Sequence, residues 1–263
     1  MQTYDVGNVK FEYKYLVPNT KLGELRSLLK PYVEQDEYMK LAGKEGYTVR
    51  SIYFDTPSYG YYHEKRDGIK KRKKVRVRGY NDFDPGSVVF LEIKRKNGKR
   101  VRKNRAPVRY ADLGRILSNG RPPELFIIDD GSGNAVYDAR RFLFHLYKYC
   151  LQPTVLVVYR REAYFGRFDR RLRLTFDKEL RGAINPELDS LYEEKNIRYS
   201  ISDHFVFEVK FRDAYPMWLK KITTKLGLRL ESFSKFTTCI EEHVAIEAGS
   251  RQMIHDFIRC LRI

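Results

Sequence analysis

The sequence predicts an α+β protein in which amphipathic strands curl into a closed antiparallel β-barrel, with helices packed outside it and at the carboxy terminus. At least six segments alternate bulky apolar residues with Lys, Arg and Glu at a period of two, which is typical of strands. Their polar sides carry charges of nearly one sign, which repel unless an anion or ample water lies between them. Helical segments alternate with the strand pairs and could cover an outer apolar face.

The amino-terminal part of the chain is predicted to form a strand, a helix and a second strand. Residues 9–17 alternate between aromatic and charged side chains. A helix is expected after Pro18, capped by Asn19 or Thr20 and ended by Pro31. Residues 47–55 are expected to form the second strand, followed by an aromatic connector over residues 59–65.

The most strongly charged stretch is a predicted hairpin between Lys70 and Lys96, with its turn at residues 81–87. One strand places three cations on a single face, namely Lys74, Arg76 and Arg78. The other strand places Glu92, Lys94 and Lys96 on a single face. Residues 99–110 are expected to form a further strand or a basic lid.

The carboxy-terminal half of the chain is predicted to form three more strands, with helices on the outside of the sheet. Residues 135–149 have helical spacing and suit a helix that covers the sheet. The strands are expected at residues 154–164, 171–177 and 205–212, and further helices at 216–226, 237–247 and 251–261. We expect residues 1–263 to form a single domain, in which the helices of residues 237–263 pack on the barrel or close it.

An open sheet is the alternative to a barrel. Two apolar sheet faces would then pack together, and the charges would be an ordinary solvated coat. The uniform polar faces, which lack the usual mixture of Ser, Thr, Asn and Gln, favour the closed arrangement with charges inside.

Composition points to a polyanionic partner. The 263 residues include 51 Lys and Arg against 34 Asp and Glu, a formal net charge of +17. The three cysteines have no metal-ligand spacing and suit a reducing compartment. The start of the chain does not resemble a signal peptide, and there is no apolar run of membrane-spanning length. We therefore expect a cytoplasmic protein, which could associate with the inner face of a membrane through a partner that takes up its product.

A lumen lined by Arg and Lys suits a linear polyphosphate. The planar guanidinium of Arg donates two parallel hydrogen bonds to phosphate oxygens, and the ammonium of Lys supplies a compact positive charge. Carboxylates in such a lumen imply a divalent metal that bridges them to phosphate, and oxygen ligands suit Mg²⁺ or Mn²⁺. The sequence has neither a Walker-A loop nor a glycine-rich dinucleotide turn.

Seven short motifs then occur in order between residues 8 and 242: Phe11–Tyr15, Ser51–Asp55, Val75–Arg78, Leu91–Lys94, Arg161–Tyr164 with Arg171–Asp177, Phe207–Lys210 and Ser234–Phe236. Together they resemble the VTC domain, the polyphosphate polymerase domain of the vacuolar transporter chaperone complex, in its bacterial form. This family belongs to the triphosphate tunnel metalloenzymes, which also include the CYTH adenylate cyclases. The resemblance implies an eight-stranded antiparallel barrel around a basic tunnel.

The resemblance also implies synthesis of inorganic polyphosphate from the γ-phosphate of ATP, with Mn²⁺ or Mg²⁺ as cofactor. By matching positions, the expected catalytic residues are Lys14, Arg76, Arg78 and Arg173. The residues expected to bind substrate are Lys65, Lys94, Lys103, Arg161, Lys210 and Lys235. Glu208 and Glu12 are expected to hold the metal. One position departs from the family, since Ser232 stands where the family has a lysine.

Two other functions stay open. A tunnel that admits water would hydrolyse tripolyphosphate or an organic triphosphate instead of extending a chain. A catalytically silent module could bind polyanions through phosphate contacts alone. Nucleic acid is not the expected partner, because the aromatic residues are expected on the faces opposite the basic ones, where they could not stack bases beside the charges.

Overall fold

A computed structural model describes residues 11–42, 46–98, 100–118 and 122–243. In these residues all strands belong to one ten-stranded sheet, and every pair is antiparallel. The strands are β1 (Phe11–Pro18), β2 (Val33–Gln35), β3 (Tyr47–Asp55), β4 (Lys71–Tyr80), β5 (Val88–Asn97), β6 (Arg100–Arg109), β7 (Gln152–Gly166), β8 (Arg173–Ile184), β9 (Arg198–Tyr199) and β10 (His204–Phe211). Eight of them follow the order β1-β10-β8-β7-β3-β4-β5-β6, while β2 pairs with β7 and β9 with β8.

Eight α-helices accompany the sheet within the described residues. They are α1 (Leu22–Leu29), α2 (Glu37–Ala42), α3 (Gly60–Arg66), α4 (Leu113–Leu117), α5 (Ala135–Lys148), α6 (Ser190–Glu193), α7 (Met217–Lys225) and α8 (residues 235–243). Short 3-10 turns lie at Asn19–Lys21, Tyr110–Asp112 and Pro123–Leu125. The helices expected beyond residue 243 lie outside the described residues. No helix in the described ranges is long and apolar enough to cross a bilayer.

Two local predictions are wrong for identifiable reasons. The expected connector over residues 59–65 is helical, because the Asp55 carboxylate accepts backbone N–H bonds from Tyr61 and Tyr62 at 2.8 and 2.9 Å. The expected side-chain cap of α1 is absent. Instead, the Asn19 amide donates to the Ser202 carbonyl at 2.9 Å and ties the strand-to-helix turn to the loop before β10.

The convex face of the sheet is covered by helices in two apolar cores. Under α4 and α5, the strands contribute residues such as Val75, Val77, Leu91 and Ile93. Under α1 and α7, they contribute residues such as Leu174, Phe176, Phe205 and Phe207. The alternative in which apolar sheet faces pack on each other and charges face outward is therefore wrong.

The sheet is strongly curled. Glu12 on β1 and Lys94 on β5 are six strands apart in the sheet order, a distance of about 29 Å in a flat sheet with strands about 4.8 Å apart. Their side chains nevertheless meet, with the Lys94 Nζ 3.4 Å from a Glu12 carboxylate oxygen. In the described residues β1 and β6 are the two edges of the strand path and do not pair with each other, so the structure is a curled open sheet rather than the predicted closed barrel.

The concave face is half charged and half apolar. Helix α8 lies across its apolar part, where Phe236, Cys239 and Ile240 pack against Tyr53 and Val157. The charged remainder is the lumen that contains the candidate site.

Candidate functional site

The strand register places ten of the twelve site residues predicted from the sequence, the nominated residues, on the concave face. Residues that are direct cross-strand partners share a face of a sheet. The pairs are Lys14 with Glu208, Glu12 with Lys210, Lys210 with Arg173, Asp177 with Arg161, Arg76 with Glu92, Ser51 with Arg78, and Lys94 with Lys103. The other two nominated residues, Lys65 and Lys235, come from helices α3 and α8.

One group of charges surrounds Lys14. Its Nζ lies 3.0 Å from Glu12 and 3.8 Å from Glu208, and Lys210 forms an ion pair with Glu208. Burial opposes the charge of each group, but the two glutamates raise the pKa of Lys14 above its usual value. Although burial acts to raise it, Lys14, Lys94 and Lys210 lower the pKa of Glu12 to about 2. Burial also acts to raise the pKa of Glu208, but Lys210 and Lys14 lower it well below its usual value, so both glutamates are ionised at neutral pH.

The two glutamates fit a divalent cation that binds together with phosphate. Both reach the same ammonium group, so their carboxylates converge on one point of the lumen. Within the described part of the chain, no three His, Cys, Asp or Glu side chains are grouped to hold a metal. Mg²⁺ is commonly held by one or two carboxylates, with phosphate oxygens and water as its other ligands. Glu12 and Glu208 match that donor set.

A second group surrounds the buried Glu92, which is 1% exposed. Its carboxylate contacts Arg76 at 2.6 Å and Lys103 at 2.7 Å, with Arg105 at 3.4 Å and Arg78 at 4.0 Å. Burial acts to raise the pKa of Glu92, but Arg76, Arg78 and Lys103 lower it well below its usual range. Four cations around one carboxylate leave a net charge of +3 (4 − 1), which suits an anionic ligand.

A third group joins α8 to the sheet. Asp177 accepts two hydrogen bonds from Arg161, at 2.6 and 2.7 Å, and its second oxygen lies 2.6 Å from the Nζ of Lys235. Burial raises the pKa of Asp177, but Arg161 and Lys235 outweigh it and lower the pKa. Asp177 therefore fixes both nominated cations in the lumen.

Arg173 is the cross-strand partner of Lys210, and its side chain lines a pocket of about 350 Å³ beside α2. Its guanidinium donates to Asp36 at 3.1 Å, and Arg170, Lys40 and Tyr38 also line the pocket. The structure thus places Arg173 on the nominated face but brings it to Asp36 rather than to the Glu92 or Lys14 groups.

The segment before α8 crosses the lumen and is tied to three other elements. The Nζ of Lys14 donates to the Phe233 carbonyl at 3.2 Å, and that of Lys74 to the Ser234 hydroxyl at 2.9 Å. The Ser232 hydroxyl accepts from the Nζ of Lys65 at 3.2 Å. A cation from α3 therefore lies at Ser232, the position at which the resemblance leads us to expect a lysine.

The expectation that aromatic residues lie opposite the basic ones is wrong for part of the lumen. The Arg105 guanidinium lies 3.5 Å from the ring centre of Phe90, and the Arg76 guanidinium lies 5.5 Å from that of Tyr53. These rings share the concave face with the charges, because one face of a strand changes from basic to aromatic along its length. Tyr53 is only 6% exposed, so it packs against cations and presents no open ring face to a base.

Sequence reasoning missed the carboxylates that organise the cations. The alternation places Glu92 on the charged face without indicating a role for it, and the motifs indicate no site role for Asp36 or Asp177. The available signal was the alternation itself, since Glu92 and Asp177 each occur in phase with a nominated cation. Which cation each one binds depends on strand pairing, which the sequence does not specify.

A family model described as the VTC domain matches residues 9–243, which is most of the 263-residue chain. The chain belongs to the VTC domain family. The match extends from just before β1 to the last described residue of α8, so it includes every nominated residue of this VTC domain.

The other comparisons add less. None of the curated proteins matches the chain. A solved structure from Vibrio parahaemolyticus, provisionally named an adenylate cyclase, is 13% identical with a TM-score of 0.42. The alignment covers 88% of this VTC domain and 98% of that protein, but the similarity is too weak to bear on function.

Proposed function

We propose that this VTC domain is a metal-dependent phosphotransferase that lengthens inorganic polyphosphate with the γ-phosphate of ATP. The observation that carries the proposal is the shared lumen, in which cations from seven strands face one another. They are Lys14, Arg76, Lys94, Lys103, Arg161, Arg173 and Lys210. A chain of phosphates neutralises these cations along a line, which a compact anion cannot do.

The proposed step needs positioning and charge neutralisation more than covalent help from the protein. A terminal oxygen of the polyphosphate chain attacks the γ-phosphorus of ATP. The bond from that phosphorus to the oxygen bridging the β- and γ-phosphates breaks, and ADP leaves with the electron pair. Arg76 and Arg78 would hold phosphate oxygens, and their permanent positive charge would stabilise the charge that develops on them.

Glu12 and Glu208 would hold the divalent cation. When bound, a divalent cation supplies Lewis-acid neutralisation of phosphate oxygens. Lys14, whose ammonium group now lies between the two carboxylates, would turn toward phosphate once the cation neutralises them. Lys210 keeps Glu208 ionised and oriented for that cation.

Incubation of the pure protein with ATP and Mn²⁺ tests the reaction. The proposal expects polyphosphate that lengthens with time on a gel, with one ADP released for each phosphate added. Release of phosphate from tripolyphosphate without chain growth would instead assign a triphosphatase. Tight binding of polyphosphate with neither reaction would assign a binding module.

Glu208→Gln tests the metal site. Loss of one of two carboxylates is expected to weaken Mn²⁺ binding in the presence of tripolyphosphate about tenfold or more, measured by electron paramagnetic resonance of free Mn²⁺. The matched control is Glu179→Gln, an exposed carboxylate on β8, which is expected to change nothing. An unchanged Mn²⁺ titration for Glu208→Gln would remove Glu208 from the metal site.

A further inference from the structure

The exposed side of α5 carries only aromatic and cationic residues, and we call it the α5 face. It consists of Tyr137, Arg140, Phe144, Tyr147 and Lys148. The exposed fractions of the three aromatic residues are 58% for Tyr137, 54% for Phe144 and 41% for Tyr147. A surface helix usually turns charged and polar residues to water. The exposed residues of α7, for example, include lysines and a threonine but no aromatic residue.

Leu125 extends the apolar part of this surface. Its side chain is 70% exposed. The preceding residue, Glu124, accepts a hydrogen bond from the Nε of Arg140 at 2.6 Å, which ties this turn to the helix. The Tyr147 hydroxyl donates to the Leu117 carbonyl at 2.9 Å and ties α4 to the same side of α5. Exposed aromatic and aliphatic side chains therefore adjoin one another here.

Cations of the sheet lie beside the same helix, on the convex side. Lys73 on β4 is the cross-strand partner of Arg95 on β5, and Arg95 is the partner of Arg102 on β6. Lys73 is in phase with Val75, and Arg95 with Ile93, both of which lie in the core under α5. The three cations, which we call the convex row, are therefore on the opposite side of the sheet from the lumen.

The cations beside α5 have no carboxylate partner among the described residues. No Asp or Glu oxygen of those residues lies within ion-pair distance of the convex row, Arg141 or Lys148. Arg95 donates to the Asn104 side chain at 2.9 Å and Arg141 to the Tyr137 hydroxyl at 2.6 Å, and both acceptors are neutral. The Nε atoms of Arg95 and Arg141 are buried and have no hydrogen-bond partner. Like charges at directly opposed strand positions are unfavourable unless an anion binds near them.

Two acids lie close to these cations but leave them in excess. Asp138 accepts hydrogen bonds from the Asn104 amide at 2.6 Å and from the backbone N–H of Arg105 at 2.8 Å. Glu64 accepts the backbone N–H of Lys73, and burial raises its pKa. The convex row and Arg141 supply four positive charges, so the net charge with both acids ionised is +2 (4 − 2).

His145 shows the effect of this positive charge inside the fold. Its side chain is 6% exposed, and its ring stacks on that of Tyr149 with 5.5 Å between centres. The Nζ of Lys73 lies 4.7 Å from the centre of the same Tyr149 ring. Burial, together with the charges of Lys73, Arg141 and Arg95, lowers the pKa of His145 to about 4. The Nδ1 atom of His145 has no hydrogen-bond partner.

We propose that the α5 face and the convex row form a docking surface for a bilayer that contains anionic phospholipids. Aromatic side chains favour the level of the lipid headgroups, and Lys and Arg bind the phosphate groups there. Single-stranded nucleic acid suits the surface less well. Leu125 has no ring to stack on a base, and the Nζ of Lys148 already lies 5.1 Å from the ring centre of Phe144.

Vesicle sedimentation with the full chain tests the docking. The vesicles contain phosphatidylcholine, either alone or with phosphatidylglycerol. The protein is expected to bind the anionic vesicles about tenfold or more tightly than the neutral ones, because several cations face the lipid phosphates. Equal binding to both kinds of vesicle, or binding to neither, would overturn the proposal.

Phe144→Ser tests the apolar part of the surface. Loss of this half-exposed ring is expected to weaken binding to anionic vesicles about fivefold. The matched control is Phe168→Ser, which removes a ring that is 83% exposed in the turn between β7 and β8. The control is expected to bind as the wild type does, and an equal loss in both variants would contradict a surface centred on α5.

Arg102→Gln/Lys148→Gln tests the charges. Each cation at a membrane surface contributes about fivefold in binding, so the double variant is expected to bind about twentyfold more weakly. Lys220→Gln/Lys221→Gln removes two exposed cations from α7 and is expected to bind nearly as the wild type does. All four positions are exposed, so melting temperatures are expected to stay unchanged. Equal losses in the two double variants would show that only net charge matters and would overturn the site.

Competition separates the bilayer from other anions. Displacement from vesicles by soluble glycerol phosphate would assign a site for small phosphate compounds, and displacement by a single-stranded oligonucleotide would assign a nucleic-acid surface. Either result would overturn the bilayer as the occupant. The proposal does not depend on the reaction in the lumen, because a protein that forms polymer from ATP but ignores vesicles refutes the docking surface alone.

Discussion

Buried carboxylates of the lumen each contact more than one cation, and this determines what a single substitution does. Glu92 is the clearest case, because Arg76 and Lys103 contact it directly at 2.6 and 2.7 Å. Removing one cation leaves a buried carboxylate with fewer positively charged partners, which lowers stability. It also removes a contact to phosphate. Loss of binding and loss of stability therefore have to be measured separately.

Arg76→Ala is expected to weaken tripolyphosphate binding and also to lower the free energy of unfolding by about 1–3 kcal/mol, because the Oε2 oxygen of Glu92 loses the guanidinium that contacts it through two nitrogens. Adding Glu92→Gln removes the unpaired charge, so the double variant is expected to recover stability but not binding. Urea unfolding and calorimetry measure the two quantities. If the single and double variants unfold at the same urea midpoint, Glu92 is not the source of the instability.

The lowered pKa of Lys74 predicts proton uptake on binding. Between its lowered pKa and 10.5, Lys74 is largely neutral in the free protein, and a phosphate chain beside it would raise the pKa and charge it. Long-chain binding is therefore expected to take up protons and to weaken as the pH rises through this range. Calorimetry in buffers of different ionisation enthalpy measures the uptake, which Lys74→Gln is expected to reduce. The same uptake in Lys74→Gln would contradict this account.

At the scale of elements, the position of α8 decides how much of the concave face is lumen. The helix packs closely on β8, where a Cβ at Gly182 would come within 3.0 Å of the Cys239 Cβ and 2.8 Å of the Leu156 carbonyl oxygen. Lys235 at the start of α8 also binds Asp177 on the same strand. A shift of α8 would therefore disturb the third group of lumen charges.

Gly182→Ala is expected to lower the free energy of unfolding by about 1–3 kcal/mol through overpacking, and to weaken polyphosphate binding by displacing Lys235. The control is Gly23→Ala in α1, where nothing lies within 4 Å of the new Cβ. That variant is expected to be neutral or stabilised by up to about 1 kcal/mol. Chemical denaturation measures both. A neutral Gly182→Ala would show that α8 adjusts its position without loss.

The ends of a strand could be predicted from the sequence wherever the alternation of apolar and charged residues is unbroken. The strand predicted over residues 47–55 is β3, and the predicted hairpin strands are β4 and β5. The strand predicted over residues 171–177 instead continues to Ile184. Its alternation breaks at Glu179, which has a positive φ of 56°, next to a register shift against β7. A bulge of this kind inserts one residue into the alternation of side chains, so the sequence pattern no longer indicates a strand beyond it.

At the scale of the whole molecule, the balance of charge links stability to pH. Four lumen carboxylates, Glu12, Glu92, Asp177 and Glu208, have folded-state pKa values below their ordinary ones. The pKa of Glu12 is about 2 against 4.5. Each such group stabilises the folded state above its unfolded pKa, and this stabilisation is lost as the pH falls through the folded pKa. With a net charge of +17 at pH 7, protonation of these groups also adds to self-repulsion.

Stability is therefore expected to fall as the pH drops from about 4.5 towards about 2, the interval between the two Glu12 values. Thermal melting as a function of pH measures the decline. Glu12→Gln is expected to be less stable than the wild type at pH 7, with the difference disappearing near pH 2. A constant difference across this range would show that the effect of Glu12 on stability is not electrostatic.

The sequence by itself determined most of the long strands, the faces of their charges and the family, because alternation and short motifs are local and survive in the linear order of residues. Only the tertiary structure decided that the sheet curls until Glu12 meets Lys94, which cation each buried carboxylate binds, and that Lys65 lies at Ser232. These contacts join residues that are far apart in the chain, and strand order and curvature set them. The opposition of like charges between β4 and β5 also emerged only from the register, which places Lys74 opposite Lys94 and Arg72 opposite Lys96.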